Sequence, residues 1–281
     1  MMWRSSIGSI AVAAALAVGD AQAFDESKYP DWTGQWVRVG SGSFDPGKPA
    51  GLKQGAPLTP EYQAVLEASV ADIAAGGQGN NPMGRCLPPG MPRTMINYEG
   101  LEIVVLPNIS YILLLEPMDQ IRRVYTDGRS WPQRIIPSFL GYSIGQWVDA
   151  DGDGRYDTLE IETRALKNPR SYDSSGMPFH SDGQTIVKER IRLDQANQNL
   201  LHNEITVIDH ALTRPWTVTR DYRRERNAIW IETICAEDNR QVRIGKEDYF
   251  ISADDRLMPS RKDQPPPDLG YFNQAQKEGR Q

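Results

Sequence analysis

Thr185-Ile186-Val187-Lys188-Glu189-Arg190-Ile191-Arg192-Leu193 is the stretch that decides the fold. Val187, Ile191 and Leu193 share one face with Glu189, and Lys188, Arg190 and Arg192 share the other. That is the period-two pattern of a half-buried strand. Working outward, the same β-branched and aromatic alternation recurs at 101–106, 110–116, 120–126, 139–148, 157–164, 200–209, 216–224, 229–236 and 242–251, with turn residues between the runs. Closely spaced strands without alternating helices predict an antiparallel meander, closed as a barrel or folded as a sandwich, and exclude a parallel α/β fold.

Upstream of the strands, the segment 24–58 alternates aromatic clusters with Gly and Pro and supports one short strand. Thr59-Pro60 then reads as an N-cap followed by proline at the first helical position. Tyr62, Val65, Leu66, Ser69, Val70 and Ile73 lie on one helical face, which predicts a helix over 60–75 ending at Gly76-Gly77. Residues 77–93 read as a turn-rich loop. Downstream, 259–281 carries Pro265-Pro266-Pro267 and many polar residues, an extended arm in which Tyr271-Phe272 docks back. The expected organisation is a leader over 1–23, one domain over 24–258 and the arm.

The leader reading rests on Arg4, an apolar stretch from Ile7 to Val18, and the small-x-small triplet Ala21-Gln22-Ala23. The stretch is short of the roughly 20 residues that span a bilayer, so a cleaved secretory signal is preferred to an anchor. The expected location is periplasmic or secreted. A net charge of -6 gives no basic field for nucleic acid or an anionic membrane, and no later run is long enough to span. Export makes the two cysteines, Cys86 and Cys235, an expected disulfide; two buried free thiols are the alternative.

The sharpest local motif is Asp149-Ala150-Asp151-Gly152-Asp153-Gly154-Arg155-Tyr156-Asp157-Thr158-Leu159-Glu160, which fits D-x-[DN]-x-[DN]-G-x5-E throughout. A hard cation takes six to eight oxygens. Carboxylates at alternate positions supply them while the glycine turns the chain, so calcium is the expected ion, with Asp149, Asp151, Asp153, Asp157 and Glu160 as ligands. The flanks read as strands, not the helices of an EF-hand. The plainer alternative is an acidic turn without an ion.

Strand phase places Glu189 inward and puts Arg220 on the apolar face of Trp216, Val218 and Tyr222. Ile121, Arg123 and Tyr125 alternate in the same way. Two readings stay open: a structural ion pair, or the polar end of a ligand site. In the second, Arg123, Glu189 and Arg220 orient a polar group, and Trp147, Trp216, Tyr125 and Tyr222 form aromatic walls around a small, partly apolar molecule. The three histidines, His180, His202 and His210, each have an acidic neighbour. His202 is expected to point outward. His180 and His210, at strand ends, are candidate catalytic groups with Asp182 and Asp209. No nucleophile elbow, P-loop, dinucleotide fingerprint or H-E-x-x-H occurs.

Several segments taken together resemble a known family: DWTGQW (31–36), RCLPPGMPR (85–93), RVYTDGR (123–129), GYSIGQW (141–147), DTLEIET (157–163) and ITVIDH (205–210). They are similar to a family of exported, functionally uncharacterised bacterial proteins with a lipocalin-like fold. Gly34-Gln35-Trp36 also looks like the lipocalin G-x-W strand. The resemblance implies a mainly β chain whose meander closes as a lipocalin-like (calycin-like) barrel with one N-terminal helix. It implies no reaction. Three functional classes follow: a small-molecule-binding barrel with a calcium-like loop, a hydrolase or lyase using His180 or His210, and a structural or cell-surface interaction protein.

Overall fold

The computed structural model describes residues 24–40, 55–96, 100–115, 120–238, 240–245, 247–261, 263–267 and 270. The expected leader over 1–23 and the pair Tyr271-Phe272 lie outside the described residues. Alternation carries the fold: nine strands, β1 (Gln35–Arg38), β2 (Leu101–Leu106), β3 (Ile109–Leu114), β4 (Gln120–Tyr125), β5 (Tyr142–Val148), β6 (Thr158–Arg164), β7 (Ile186–Leu193), β8 (Leu200–Ile208) and β9 (Trp216–Glu225), pair in sequence order. β1 lies antiparallel to β9 and closes the barrel, with Gln35 opposite Glu225 and Arg38 opposite Tyr222.

Inside, Trp36, Leu101, Ile112, Leu114, Val124, Leu159, Val187, Ile191, Ile205 and Val207 are buried and interdigitate in one core. Each large apolar side chain withdrawn from water in this way contributes roughly 1.5–3 kcal/mol. Glu189 is buried among them while Lys188, Arg190 and Arg192 are exposed, so the phase read for β7 holds.

Three features depart from the sequence reading. First, the barrel is mixed. β4 and β5 run parallel, joined by only two register pairs, Val124 with Ser143 and Tyr125 with Ile144. The connection 126–141 is longer than the dozen or so residues a parallel crossover needs, and it returns the chain to the opposite end before β5 begins. Gly145, on β5, lets β4 approach: a Cβ there would lie 2.7 Å from Val124 Cγ1. The seam between β1 and β2 is equally short, Gln35 with Glu102 and Trp36 with Leu101.

Second, 229–236 is not a strand. Ile229 and Ile231 are 78% and 65% exposed, among the described residues no strand pairs with them, and the stretch runs into a short helix, α2 (Cys235–Asp238). Third, 242–251 divides at the Gly245 turn into β10 (Gln241–Ile244) and β11 (Glu247–Ile251). With β12 (Leu257–Pro259) these make a separate three-stranded antiparallel sheet. The start of the expected arm is a hydrogen-bonded turn against this sheet: Ser260 Oγ and Gln264 Nε2 both donate to the Asp248 carbonyl.

The helix α1 (Pro60–Ala74) starts where the cap signals place it, with Thr59 Oγ1 accepting from the Tyr62 amide, and it buries Leu66 and Ser69. Cys86 and Cys235 form a disulfide, with Cα atoms 5.5 Å apart. It ties the first residue of α2 to the residue that caps the 3-10 turn Pro82–Arg85. Among the described residues, no helix is long and apolar enough to cross a membrane.

Candidate functional site

Strand order separates the polar residues into three groups: one in the barrel, and one at each end. β5 runs from the end that carries 178–185 and 209–213 to the end that carries 149–157; β6 returns and β7 runs forward again. The histidine candidates and the acidic loop are therefore at opposite ends.

In the interior, Arg122 on β4 is the inward arginine and Arg123 is exposed, which corrects the phase expected for β4. Arg122 Nη2 donates to Glu189 Oε2 and to Thr163 Oγ1 (2.9 Å), and its Nε reaches Ser143 Oγ at 3.3 Å. Asn203 Nδ2 donates to Glu189 Oε1 at 3.0 Å. Glu189 is thus held by Arg122 and Asn203. Arg220, its expected partner, donates instead to the Tyr172 hydroxyl at 2.8 Å. The Tyr222 hydroxyl donates to the Met95 carbonyl, and burial, reinforced by the Glu189 charge, holds this phenol well above the ordinary tyrosine range. Trp216 packs on Tyr172, whose own phenol is pushed up to about 12 by burial. Tyr125 faces out, its ring 5.0 Å from that of Tyr142 and covered by the Arg129 guanidinium at 3.8 Å. The seven residues expected around one internal ligand therefore do not line one cavity.

At the acidic end, Asp149, Asp151 and Asp153 each place a carboxylate oxygen within 4.8 Å of the others, so these acidic groups could hold a metal ion. The motif's spacing creates this cradle. Asp149 accepts amides from Gly152 (2.7 Å), Asp153 (3.2 Å) and Gly154 (2.9 Å), and the Gly154 amide first among them keeps its carboxyl below the usual range. Gly152 and Gly154 sit at φ +77° and +89°, a region that favours glycine. Asp157 faces inward to the loop backbone, accepting from Ala150 and Asp151. Glu160 is placed away from the cradle, on the outer face of β6, where it meets Arg190 (3.1 Å) and Gln146 (3.0 Å).

The acidic loop is joined to an aromatic cluster. Tyr156 donates its amide to the Lys28 carbonyl at 2.7 Å, Tyr29 packs against Tyr156 and Trp147, and Trp32 lies 4.9 Å from Trp147. Arg224 anchors this segment through the carbonyls of Asp31 (2.6 Å), Thr33 (2.7 Å) and Gln198 (2.9 Å), its guanidinium 4.4 Å above the Trp36 ring. Two grooves open here. One of about 530 Å³ is lined by Phe24, Tyr29, Trp32, Ile103, Val104 and Val105. Another, of about 820 Å³, runs along the acidic loop past Arg190 and Arg192. Pro30, Asp31 and Arg155 border both.

At the other end, the fold brings His180, Asp182 and His210 together from before β7 and after β8. Asp182 Oδ2 lies 2.5 Å from His210 Nδ1 and 3.2 Å from His180 Nδ1. The Gln184 amide, followed by His210, holds the Asp182 carboxyl below its usual range. Asp209 is not in the cluster but behind it. Buried, it accepts from the amides of His180 and Ala211 (both 2.8 Å) and from Thr185 Oγ1 (2.6 Å). Arg170, missed by the sequence reading because no strand phase applies to its loop, donates to Thr185 Oγ1 and to the Met91 carbonyl; burial pulls its guanidinium down to about 10. His202 lies apart on β8, between Asp221 (2.6 Å) and Asp194 (3.1 Å).

Comparison with family models, with curated proteins and with solved structures found no match for this chain.

Proposed function

We propose that the protein is an exported, lipocalin-like barrel that binds a small, partly apolar molecule at its acidic end, with calcium organising the loop beside the site. The observation that carries this reading is the shared border: Arg155, within the calcium-like loop, lines both the aromatic groove and the groove along the acidic loop. A cation held by Asp149, Asp151 and Asp153 fixes the loop, and with it Arg155 and Tyr156, against Tyr29 and Trp147. The groove's size and its apolar lining with a few polar groups match small-molecule sites in general. The disulfide and the secretory-type leader sequence support export. The buried Arg122–Glu189 network fills the middle of the barrel, which argues against a ligand held on the axis.

The test is binding of an apolar fluorescent probe, anilinonaphthalene sulfonate, with calcium and with chelator. Calcium is expected to raise the melting temperature, by the equivalent of about 2.7 kcal/mol at a hundredfold excess over Kd, and to strengthen probe binding. Asp151→Ala removes both effects. Arg155→Ala and Val104→Lys, at exposed positions, weaken the probe about tenfold. Equal probe binding in chelator, calcium and both groove variants refutes the reading.

A further inference from the structure

We infer that His180, Asp182 and His210 form a site for a zinc-class divalent cation, distinct from the acidic loop and at the opposite end of the barrel. One ligand atom from each residue lies within 4.8 Å of the others. Two imidazoles and one carboxylate suit a borderline first-row ion such as Zn²⁺ and not calcium, which takes oxygen donors. A tetrahedral zinc with ligand bonds of about 2.0–2.1 Å sets its ligand atoms about 3.3 Å apart. The separation of His180 Nδ1 from Asp182 Oδ2 is already 3.2 Å. The 2.5 Å between Asp182 Oδ2 and His210 Nδ1 needs to open by less than 1 Å, and His210, with 62% of its side chain exposed, is free to swing that far.

His180 Nδ1 accepts the backbone amide of Asp182 at 3.1 Å, so an ion bound at Nδ1 takes the place of that amide hydrogen. Its other near neighbour is the Asp182 carboxylate oxygen, which is also an acceptor when ionised. A cation that displaces the amide hydrogen would lie between these two acceptors.

The surroundings are built to hold such a site. The His180 amide is fixed by buried Asp209 and its carbonyl receives Asn168 Nδ2 at 3.2 Å, so the backbone carrying the ligand is clamped on both sides. Asp182 spends Oδ1 on the Gln184 amide and turns Oδ2 towards both imidazoles. The Tyr62 ring packs 5.7 Å from the His180 ring and forms one wall. Three protein ligands leave a fourth position for water, the pattern of reactive zinc sites and not of closed structural ones.

The experiment is calorimetric titration of the chelator-treated full chain with Zn²⁺, repeated with Co²⁺ to read ligand geometry from visible absorption. One equivalent is expected to bind with a tetrahedral cobalt spectrum. His210→Ala and Asp182→Asn should each weaken it more than about 100-fold, beyond the 10–100-fold that loss of an outer partner costs. The melting temperature of the His210→Ala chain should stay unchanged. Asp151→Ala with Asp153→Ala should leave zinc binding intact, so this site stands or falls separately from the calcium reading. Absence of zinc uptake overturns the inference, as does affinity within threefold of wild type in both ligand variants, or loss of zinc in His202→Ala instead. If only a bridging proton occupies the cluster, no zinc is taken up and the inference fails.

Discussion

Replacing Glu189 by Gln tests the interior directly. The carboxylate now meets a donor on each oxygen, Arg122 Nη2 on Oε2 and Asn203 Nδ2 on Oε1. An amide has one acceptor and one NH₂: with its oxygen towards Arg122, its NH₂ meets Asn203, which must turn its own amide to accept, and in either orientation the counter-charge of Arg122 is gone. Arg122, whose side chain is 1% exposed, keeps only neutral acceptors, the hydroxyls of Thr163 and Ser143 and the amide oxygen. Removing one partner of a buried pair costs about 3–5 kcal/mol, against about 1 kcal/mol or less for a surface pair. For a chain of this size that corresponds to a fall of about 6–20 °C in melting temperature. Arg122→Met should cost as much, and the double variant Arg122→Met with Glu189→Met should recover much of the loss, since no charge is left unpaired. Arg220→Met loses its bonds to the Tyr172 hydroxyl and to the exposed Thr219 carbonyl and is expected to cost about 0.5–1.5 kcal/mol. Urea denaturation monitored by tryptophan fluorescence provides the readout. If Glu189→Gln and Arg122→Met both stay within about 0.5 kcal/mol of wild type, the buried pair is not as described.

Other perturbations probe the rest of the frame. Burial pushes the His202 imidazolium down, but Asp221 and Asp194 outweigh it and raise it above its ordinary value of 6.5. A raised folded-state value gives stability that is full below the unfolded value and lost as pH rises through the folded one; hence the deficit of His202→Gln should be widest below about pH 6.5 and narrow above it. A deficit that grows with pH contradicts this. Gly145→Ala would set a Cβ 2.7 Å from Val124 Cγ1 and 3.1 Å from the Glu160 carbonyl, and denaturation should show a loss of about 1–3 kcal/mol; a neutral result would mean the β4–β5 joint is looser than drawn. Cys86→Ser with Cys235→Ser opens a loop of sequence separation 149, for which chain entropy predicts a loss of up to about 5 kcal/mol; thiol titration of denatured, unreduced wild type should find no free sulfhydryl.

Most strands were legible because alternation is a local property: β7 could be phased from Val187, Ile191 and Leu193 alone. β4 could not. Ile121-Arg122-Arg123-Val124-Tyr125 offers two rival faces, and packing against Ser143 and Thr163 chooses the one with Arg122. The stretch 229–236 alternates equally well, but a strand also needs an edge to pair with, which lies outside any local window. The cap at Thr59-Pro60 was readable because it satisfies its own helix. Of the candidate sites, the Asp149–Asp153 spacing was visible because its bonds are local. Glu160 was assigned by a rule drawn from helix-flanked loops. Here β6 begins at Thr158 and carries it along a strand, at about 3.3 Å per residue, onto the face opposite Leu159 and Ile161. His180 and His210 were flagged as strand-end residues; their convergence with Asp182 depends on β7 and β8 pairing along their whole length.

The two short joints have a mechanical consequence. Where β4 meets β5 and where β1 meets β2, each junction rests on two register pairs, while β7 and β8 share eight. The closed wall is therefore two leaves, β2–β4 and β5–β9 with β1, hinged at narrow edges. Arg122 projects from the smaller leaf and is fastened to Ser143, Thr163 and Glu189 on the larger one. Side chains thus supply the cross-bracing that backbone pairing leaves out. When the wall breathes, the smaller leaf should swing as a unit, and amide protons beside Val124 and Ser143 should exchange well before those between β7 and β8.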